Sequence, residues 1–231
     1  MSTAIVTGGS RGFGLALTGA LVEKGWDVVI DGRDRPSLDA AARRLGPRAH
    51  AVPGDVADPR HREAIVGEAR RLGGLDLLVN NAGSLGPTPL PPVRDLAPEA
   101  LVDLLRVNVA APLALIGAAL PLLEASPSGG AIVNITSDAA VEAYEGWGAY
   151  GASKAALEQL SRVLAVEVPE VRVWWFDPGD MRTEMHQAAF PGEDISDRPR
   201  PEAVAPAMLR LLGSRPPSGR VRAGELREAG R

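Results

Sequence analysis

The chain has no cysteine, which excludes disulfides, a thiolate nucleophile and cysteine-ligated zinc. Histidine is nearly as scarce. His50, His61 and His186 are the only three; they are scattered without metal-ligand spacing and each reads as a loop or surface residue. Twenty-five basic residues face 29 acidic ones, for a formal net charge of −4, so there is no basic footprint for nucleic acid. No uninterrupted run of eighteen apolar residues occurs, and a strand pattern begins almost at once, at Thr3. Neither a membrane span nor an N-terminal address is therefore expected. What these absences leave is a cytoplasmic globular protein, long enough at 231 residues to bury one substantial core.

What is present is alternation. Thr3-Ala4-Ile5-Val6-Thr7 runs into Gly8-Gly9-Ser10-Arg11-Gly12-Phe13-Gly14, and a helical pattern over 15–24 stops at Gly25. Strand, glycine-rich turn and helix make a phosphate-binding start, because glycines let the backbone approach a pyrophosphate and the helix N-terminus adds positive charge. The spacing is Gly8-x-x-x-Gly12-x-Gly14, not G-x-G-x-x-G. Further strands are expected at 26–31, 48–52, 75–79, 132–136, 171–176 and 219–223. Helices are expected at 36–45, 58–72, 98–123 with a kink at Pro112, 150–164 and 202–212. Residues 180–200 lack periodicity and read as a mobile loop or lid, and 224–231 as a frayed tail. The pattern predicts one domain over 1–231: a Rossmann-type, doubly wound parallel sheet of about seven strands with helices on both faces. Ligands bind such sheets beyond the carboxyl ends of the strands. The glycine turn, Asp55, Asn80-Asn81-Ala82-Gly83, Ser137 and Pro178-Gly179 all fall at such ends.

The helix over 150–164 carries the chemistry. Tyr150 and Lys154 are i and i+4, neighbours on one helix face. A lysine beside a tyrosine is expected to lower the phenol's pKa by favouring the phenolate, as an acid for a carbonyl or a base for an alcohol requires. Ser137, at the end of the preceding strand, can donate to the same substrate oxygen.

With these motifs in order, the chain resembles the compact single-domain branch of the short-chain dehydrogenase/reductase family. The resemblance runs from Thr7 to about Ala223. Thr7-Gly8-x-x-x-Gly12-x-Gly14 matches the family's cofactor turn, Asp55-Val56 its adenine-contacting pair, and Asn80-Asn81-Ala82-Gly83 the segment beside the cofactor. Asn108 matches the asparagine that holds a water in a proton relay. Ser137 precedes Tyr150 by the family's usual thirteen residues (150 − 137), and Pro178-Gly179 with Thr183 matches the nicotinamide segment. The resemblance implies an oxidoreductase acting on a small-molecule carbonyl or alcohol, with Tyr150 exchanging the proton, Lys154 also bonding the nicotinamide ribose, Ser137 polarising the carbonyl and Asn108 anchoring the relay. Ser10, Arg11, Phe13 and Met181 belong to the implied cofactor contacts. A catalytically silent cofactor-binding sensor is the alternative, and the four intact catalytic positions argue against it. A homodimer or homotetramer through the Tyr/Lys helix and its predecessor is also implied.

Three expectations remain. Asp31 lies nineteen residues after Gly12 (31 − 12), where a fingerprint acid would select NAD(H). The family's selecting position is Gly32, so Asp31 should turn away while Arg33 and Arg11 meet a 2′-phosphate, favouring NADP(H). Trp174, Trp175 and Phe176 read as core. Asp138, Glu142, Glu145, Asp180 and Glu184 should rim the pocket; they suggest a polar or cationic substrate under a lid of Met181, Met185 and Phe190, with Tyr144 either lining it beside Trp147 or simply packing.

Overall fold

The central strands of this chain are divided residue by residue between two cores. A computed structural model describes residues 2–228. Its strands are β1 (Thr3–Val6), β2 (Asp27–Gly32), β3 (Ala49–Pro53), β4 (Leu77–Asn80), β5 (Ala131–Ile135), β6 (Arg172–Asp177) and β7 (Gly219–Arg222). They form one sheet, ordered β3-β2-β1-β4-β5-β6-β7 and parallel throughout. The helices are α1 (Gly12–Glu23), α2 (Arg35–Leu45), α3 (Pro59–Arg71), α4 (Pro98–Leu105), α5 (Ala111–Glu124), α6 (Gly148–Glu167), α7 (Glu184–Ala189), α8 (Pro201–Ser214) and α9 (Ala223–Glu228).

Successive strand residues point to opposite faces. Val6, Ile30, Val79, Val133 and Trp174 thus join Leu17 of α1 and Met208 of α8. Ile5, Val29, Leu78, Ile132 and Val173 join Ile65 of α3 and Leu115 of α5 on the other side. Burial on both faces is what a parallel sheet requires. The chain leaves β1 towards β2 and β3, then restarts at β4 and proceeds the other way. The switch point between β1 and β4 is where such sheets open a crevice. Trp174 and Phe176 are core residues as expected: the Trp174 indole donates to the Pro216 and Pro217 carbonyls, and Phe176 stacks on Phe13 at 6.1 Å.

Four expectations are corrected. The kink near Pro112 is a five-residue π segment, Arg106–Ala110, in which the Ala111 N–H reaches back to the Arg106 carbonyl. Pro112 has no N–H to give the Asn108 carbonyl, so the regular ladder cannot run through this point. The stretch over 98–124 is long and apolar enough to pass as a span by length and composition, yet its Leu115, Ala119 and Leu123 lie in the core. Residues 223–228 form α9 rather than a frayed tail, because Ala223 and Leu226 join the first core and Arg210 bonds the Leu226 carbonyl at 2.9 Å; 229–231 lie outside the described residues. The 180–200 segment contains α7, started by Thr183, whose Oγ1 accepts the His186 N–H. Finally, His61 is buried, against the surface reading; it is held by Asp31 beneath the glycine turn.

Candidate active site

At the end of β1 the backbone turns through Gly8 and Gly12, at φ +67° and +57°, the region that glycine enters freely. A Cβ on Gly14 would lie 2.4 Å from the Gly8 oxygen and 2.5 Å from Asn81 Nδ2, so α1 can begin this close under the turn only with glycine. The turn is splinted to β4: Asn81 Nδ2 donates to the Thr7 carbonyl at 2.8 Å, and Thr7 Oγ1 accepts the N–H groups of Asn81 and Ala82 at 2.9 Å. A turn of this shape, at a helix N-terminus and at the sheet's switch point, fits the pyrophosphate of a dinucleotide. Gly83 leaves space beside Asn108 Oδ1 and Lys154 Nζ.

Around this cradle the expected contacts divide. Thr183 faces it, with its methyl 3.7 Å from where a Gly12 Cβ would sit. Ser10 lies between the turn and Gly32. Asp31 turns inward as expected, accepting the Gly8 N–H at 2.6 Å and meeting His61 Nε2 at 3.1 Å. Arg33 is exposed at the end of β2 with no ion pair among the described residues. Arg11 is instead paired with Glu184 of α7, at 2.5 Å. The Phe13 ring belongs to the core, so only its backbone remains at the turn. Asp55 accepts the Ala57 N–H at 2.9 Å, and Val56 is buried with its carbonyl bonded by Arg62. The Gly179 N–H donates to Asp177 at 3.0 Å, leaving Pro178 and Met181 to either side of it on the segment that leads to α7.

Tyr150 and Lys154 are buried one turn apart on α6. Lys154 Nζ donates to the Ile135 carbonyl at 2.8 Å and stands 5.5 Å from the Tyr150 ring centroid. Burial pulls the Lys154 pKa down to about 8. The phenol goes the other way: burial pushes Tyr150 up, and the Asp177 and Asp138 carboxylates add to it. This overturns the expected depression. Desolvation of the phenolate outweighs the attraction of an ammonium at this distance. Ser137 Oγ donates to Asp138 Oδ1 at 2.9 Å. Asn108 is held at both ends of its amide: Oδ1 accepts the Ser84 N–H, while Nδ2 donates to the Ser84 carbonyl and to Ser153 Oγ. Its side chain fastens the loop after β4 to α6.

Over Tyr150 lies an aromatic series. Trp147 meets its ring edge-on at 5.6 Å, Phe190 lies 5.9 Å from Trp147, and His186 lies 4.8 Å from Phe190. Leu85, Leu90, Ala139 and Ala189 complete an apolar surround. Three of the five acidic residues expected on the rim are already engaged. Asp138 accepts from Tyr144 and Ser137, Asp180 meets Arg198 and His186, and Glu184 holds Arg11. Tyr144 is exposed and bonded to Asp138 rather than lining the pocket.

Sequence reasoning missed Glu158, Asp177 and Arg220, which form a buried ionic cluster behind Ser137. One signal was available: Glu158 follows Lys154 by four residues, on the same face of α6. The short chain dehydrogenase family model matches residues 2–194. A benzil reductase ((S)-benzoin forming) of Saccharomyces cerevisiae is 34% identical over 221 residues, covering 89% of this chain and 79% of that protein. A serine 3-dehydrogenase of Rhizobium radiobacter is 35% identical over 188 residues, covering 79% and 73%. A short chain dehydrogenase from Shigella flexneri, solved in complex with NADP, superposes with a TM-score of 0.90 at 29% identity, covering 96% of this chain and 97% of that one.

Proposed function

Since this chain belongs to the short-chain dehydrogenase/reductase family and is an oxidoreductase of that family, we propose that it is an NADPH-dependent reductase of a carbonyl compound, with Tyr150 as the proton donor. The observation that carries this reading is geometric: the Tyr150 phenol is buried one turn of α6 from Lys154, whose Nζ lies 3.7 Å from where a Gly83 Cβ would sit beside the glycine turn, and burial raises the phenol's pKa. A phenol that keeps its proton at neutral pH is ready to donate to a carbonyl oxygen, whereas drawing a proton from an alcohol would first require its ionisation. When bound, NADPH supplies the hydride. The chain supplies the rest. Gly8, Gly12 and Gly14 with the α1 N-terminus hold the pyrophosphate, and Arg33 reads the 2′-phosphate. Pro178, Gly179, Met181 and Thr183 flank the nicotinamide. Ser137 turns its hydroxyl from Asp138 to the substrate oxygen, and Asn108 anchors the relay. The solved relative in complex with NADP supports the cofactor choice.

The walls above Tyr150 favour an apolar or aromatic carbonyl substrate over the polar or cationic one that the acidic residues suggested. Trp147, Leu85, Leu90 and Ala189 surround the phenol with Phe190 behind Trp147, while Asp138, Asp180 and Glu184 are engaged by other side chains. The relatives are named for unlike substrates, a benzil and a serine, so this reading rests on the walls. Association through α5 and α6 is part of the same proposal, since Leu113, Val163 and Val166 are exposed apolar residues on these helices.

The deciding experiment follows NADPH absorbance with a panel of aryl ketones, aliphatic ketones and amino-substituted ketones, for wild type and Tyr150→Phe. Turnover of apolar members, lost by roughly 10²–10⁴-fold in the variant with NADPH binding retained, is the expected outcome. Full activity in Tyr150→Phe would remove Tyr150 from the mechanism.

A further inference from the structure

Arg220 lies on β7 at the edge of the sheet, and its guanidinium reaches three other elements. Nε donates to Glu158 Oε1 of α6 at 3.0 Å. One terminal nitrogen donates both to Asp177 Oδ2, at the end of β6, at 2.9 Å, and to the Ser137 carbonyl after β5 at 3.2 Å. The partners are themselves tied in. Glu158 is 1% exposed and accepts Thr136 Oγ1 and Arg162. Asp177 holds the Gly179 N–H through its other oxygen. Two buried carboxylates thus face two guanidiniums, Arg220 largely buried and Arg162 exposed.

A buried ionic cluster contributes little net stability, because desolvation offsets much of the attraction. What it does supply is geometry. This one fixes, from behind, the backbone of Ser137, the start of the nicotinamide-side segment at Gly179, and a carboxylate whose field reaches Tyr150. We propose that Arg220 is a positioning residue for the reaction, holding Ser137 in place and setting the electrostatic field at the Tyr150 phenol by neutralising Asp177. The inference rests on the reading of Tyr150 as proton donor.

The charged groups facing Tyr150 are Lys154 from its own helix, Asp138 from the turn after β5 and Asp177 from β6. On α7, His186 lies behind Phe190 and is paired with Asp180. Arg220 and Glu158 act on Tyr150 only through Asp177 and the Ser137 backbone. Removing Arg220 leaves Asp177 uncompensated and makes the phenolate harder to form; removing the Asp177 charge makes it easier. The two members of one ion pair should therefore move the phenol in opposite directions, which damage to the fold would not do.

The chain has only two tyrosines, so ring-fluorinated tyrosine, with its lower-titrating phenol, gives a ¹⁹F resonance for Tyr150 that Tyr144→Phe assigns. Titration should shift upward in Arg220→Gln, downward in Asp177→Asn, and return towards wild type in Arg220→Lys. With a carbonyl that the wild type reduces, kcat in Arg220→Gln should fall roughly ten- to hundredfold, with a smaller change in NADPH affinity. Shifts of the same sign in both variants, or no shift in either, overturn the proposal. If Arg220→Gln does not fold, Asp177→Asn decides alone, and an unmoved phenol overturns it. Opposite shifts with unchanged kcat in both variants would instead count against Tyr150 as the proton donor, leaving the electrostatic link standing.

Discussion

Lys154 Nζ is 5.5 Å from the centre of the Tyr150 ring, yet its hydrogen bond goes to the Ile135 carbonyl. The lysine is thus seated at the carboxyl end of β5, one turn of α6 from the phenol, in a position where burial opposes its charge. Both groups pay for their depth, in opposite senses: burial pulls the lysine to about 8 and pushes the phenol upward. Each shift favours the neutral form.

That arrangement predicts an unusual stability profile. Below about pH 8 the buried ammonium is charged in the fold, and the penalty relative to the ordinary lysine value of 10.5 is about 3 kcal/mol. As pH rises from about 8 towards 10.5, the unfolded chain holds the extra proton, so stability increases. Above about pH 10 the unfolded chain loses a phenol proton that folded Tyr150 retains, and stability falls again. Urea unfolding of wild type should therefore show a rise between pH 8 and 10, and Lys154→Met should lack that rise while keeping the alkaline fall. Parallel profiles for the two proteins would contradict the burial argument.

Cofactor choice gives a second test. Asp31 is turned under the glycine turn and Arg33 stands open at the strand end. Arg33→Ala should weaken NADPH by roughly ten- to a hundredfold, the value of one charge-assisted hydrogen bond of about 1.5–3 kcal/mol, and leave NADH almost unchanged. Matched fluorescence titrations check this; equal losses for both cofactors would mean that Arg33 does not read the phosphate.

The unbroken burial of Thr3–Val6 and Ala131–Ile135, the glycine turn and the Tyr150–Lys154 spacing were legible because each is a local pattern with a local cause. The inward turn of Asp31 was legible too, since a one-residue offset along a strand reverses a side chain. Arg220 was not. Its partners are 43, 62 and 83 residues away and meet only after β5, β6 and β7 have paired in register. The sign of the Tyr150 shift was hidden for a related reason: spacing gives the neighbour but not the depth. The π segment at Arg106–Ala110 was read as a kink, because sequence marks the missing donor of Pro112 but not how the ladder absorbs it.

Two glycines of the turn should respond differently to alanine. At Gly14 a Cβ would meet the Gly8 oxygen at 2.4 Å, which forces backbone to move and should abolish detectable NADPH binding, with a stability loss of roughly 1–3 kcal/mol. At Gly12 the nearest group is the Thr183 methyl at 3.7 Å, so the cost there is the φ of +57°, about 1–2 kcal/mol for a non-glycine residue. Thermal unfolding together with NADPH titration separates the two; Gly14→Ala binding NADPH normally would show that the turn can relax.

The last prediction concerns Arg11, which was expected at the 2′-phosphate and instead holds Glu184 across the cleft. Both side chains are about three-quarters exposed, at 72% and 75%, and an ion pair that open to water contributes little. A phosphate carrying up to two charges competes for the same guanidinium on better terms than one solvated carboxylate. Glu184→Gln removes the competitor without removing the helix start, since Thr183 caps α7. The variant should therefore bind NADPH about two- to fivefold more tightly and leave NADH affinity unchanged, and the gain should shrink as salt is raised. Isothermal titration of both cofactors at low and high ionic strength makes the comparison. An equal gain for NADH would place the effect in the position of α7 rather than at the phosphate, and no gain for either would mean that Arg11 stays with Glu184 while Arg33 reads the phosphate alone.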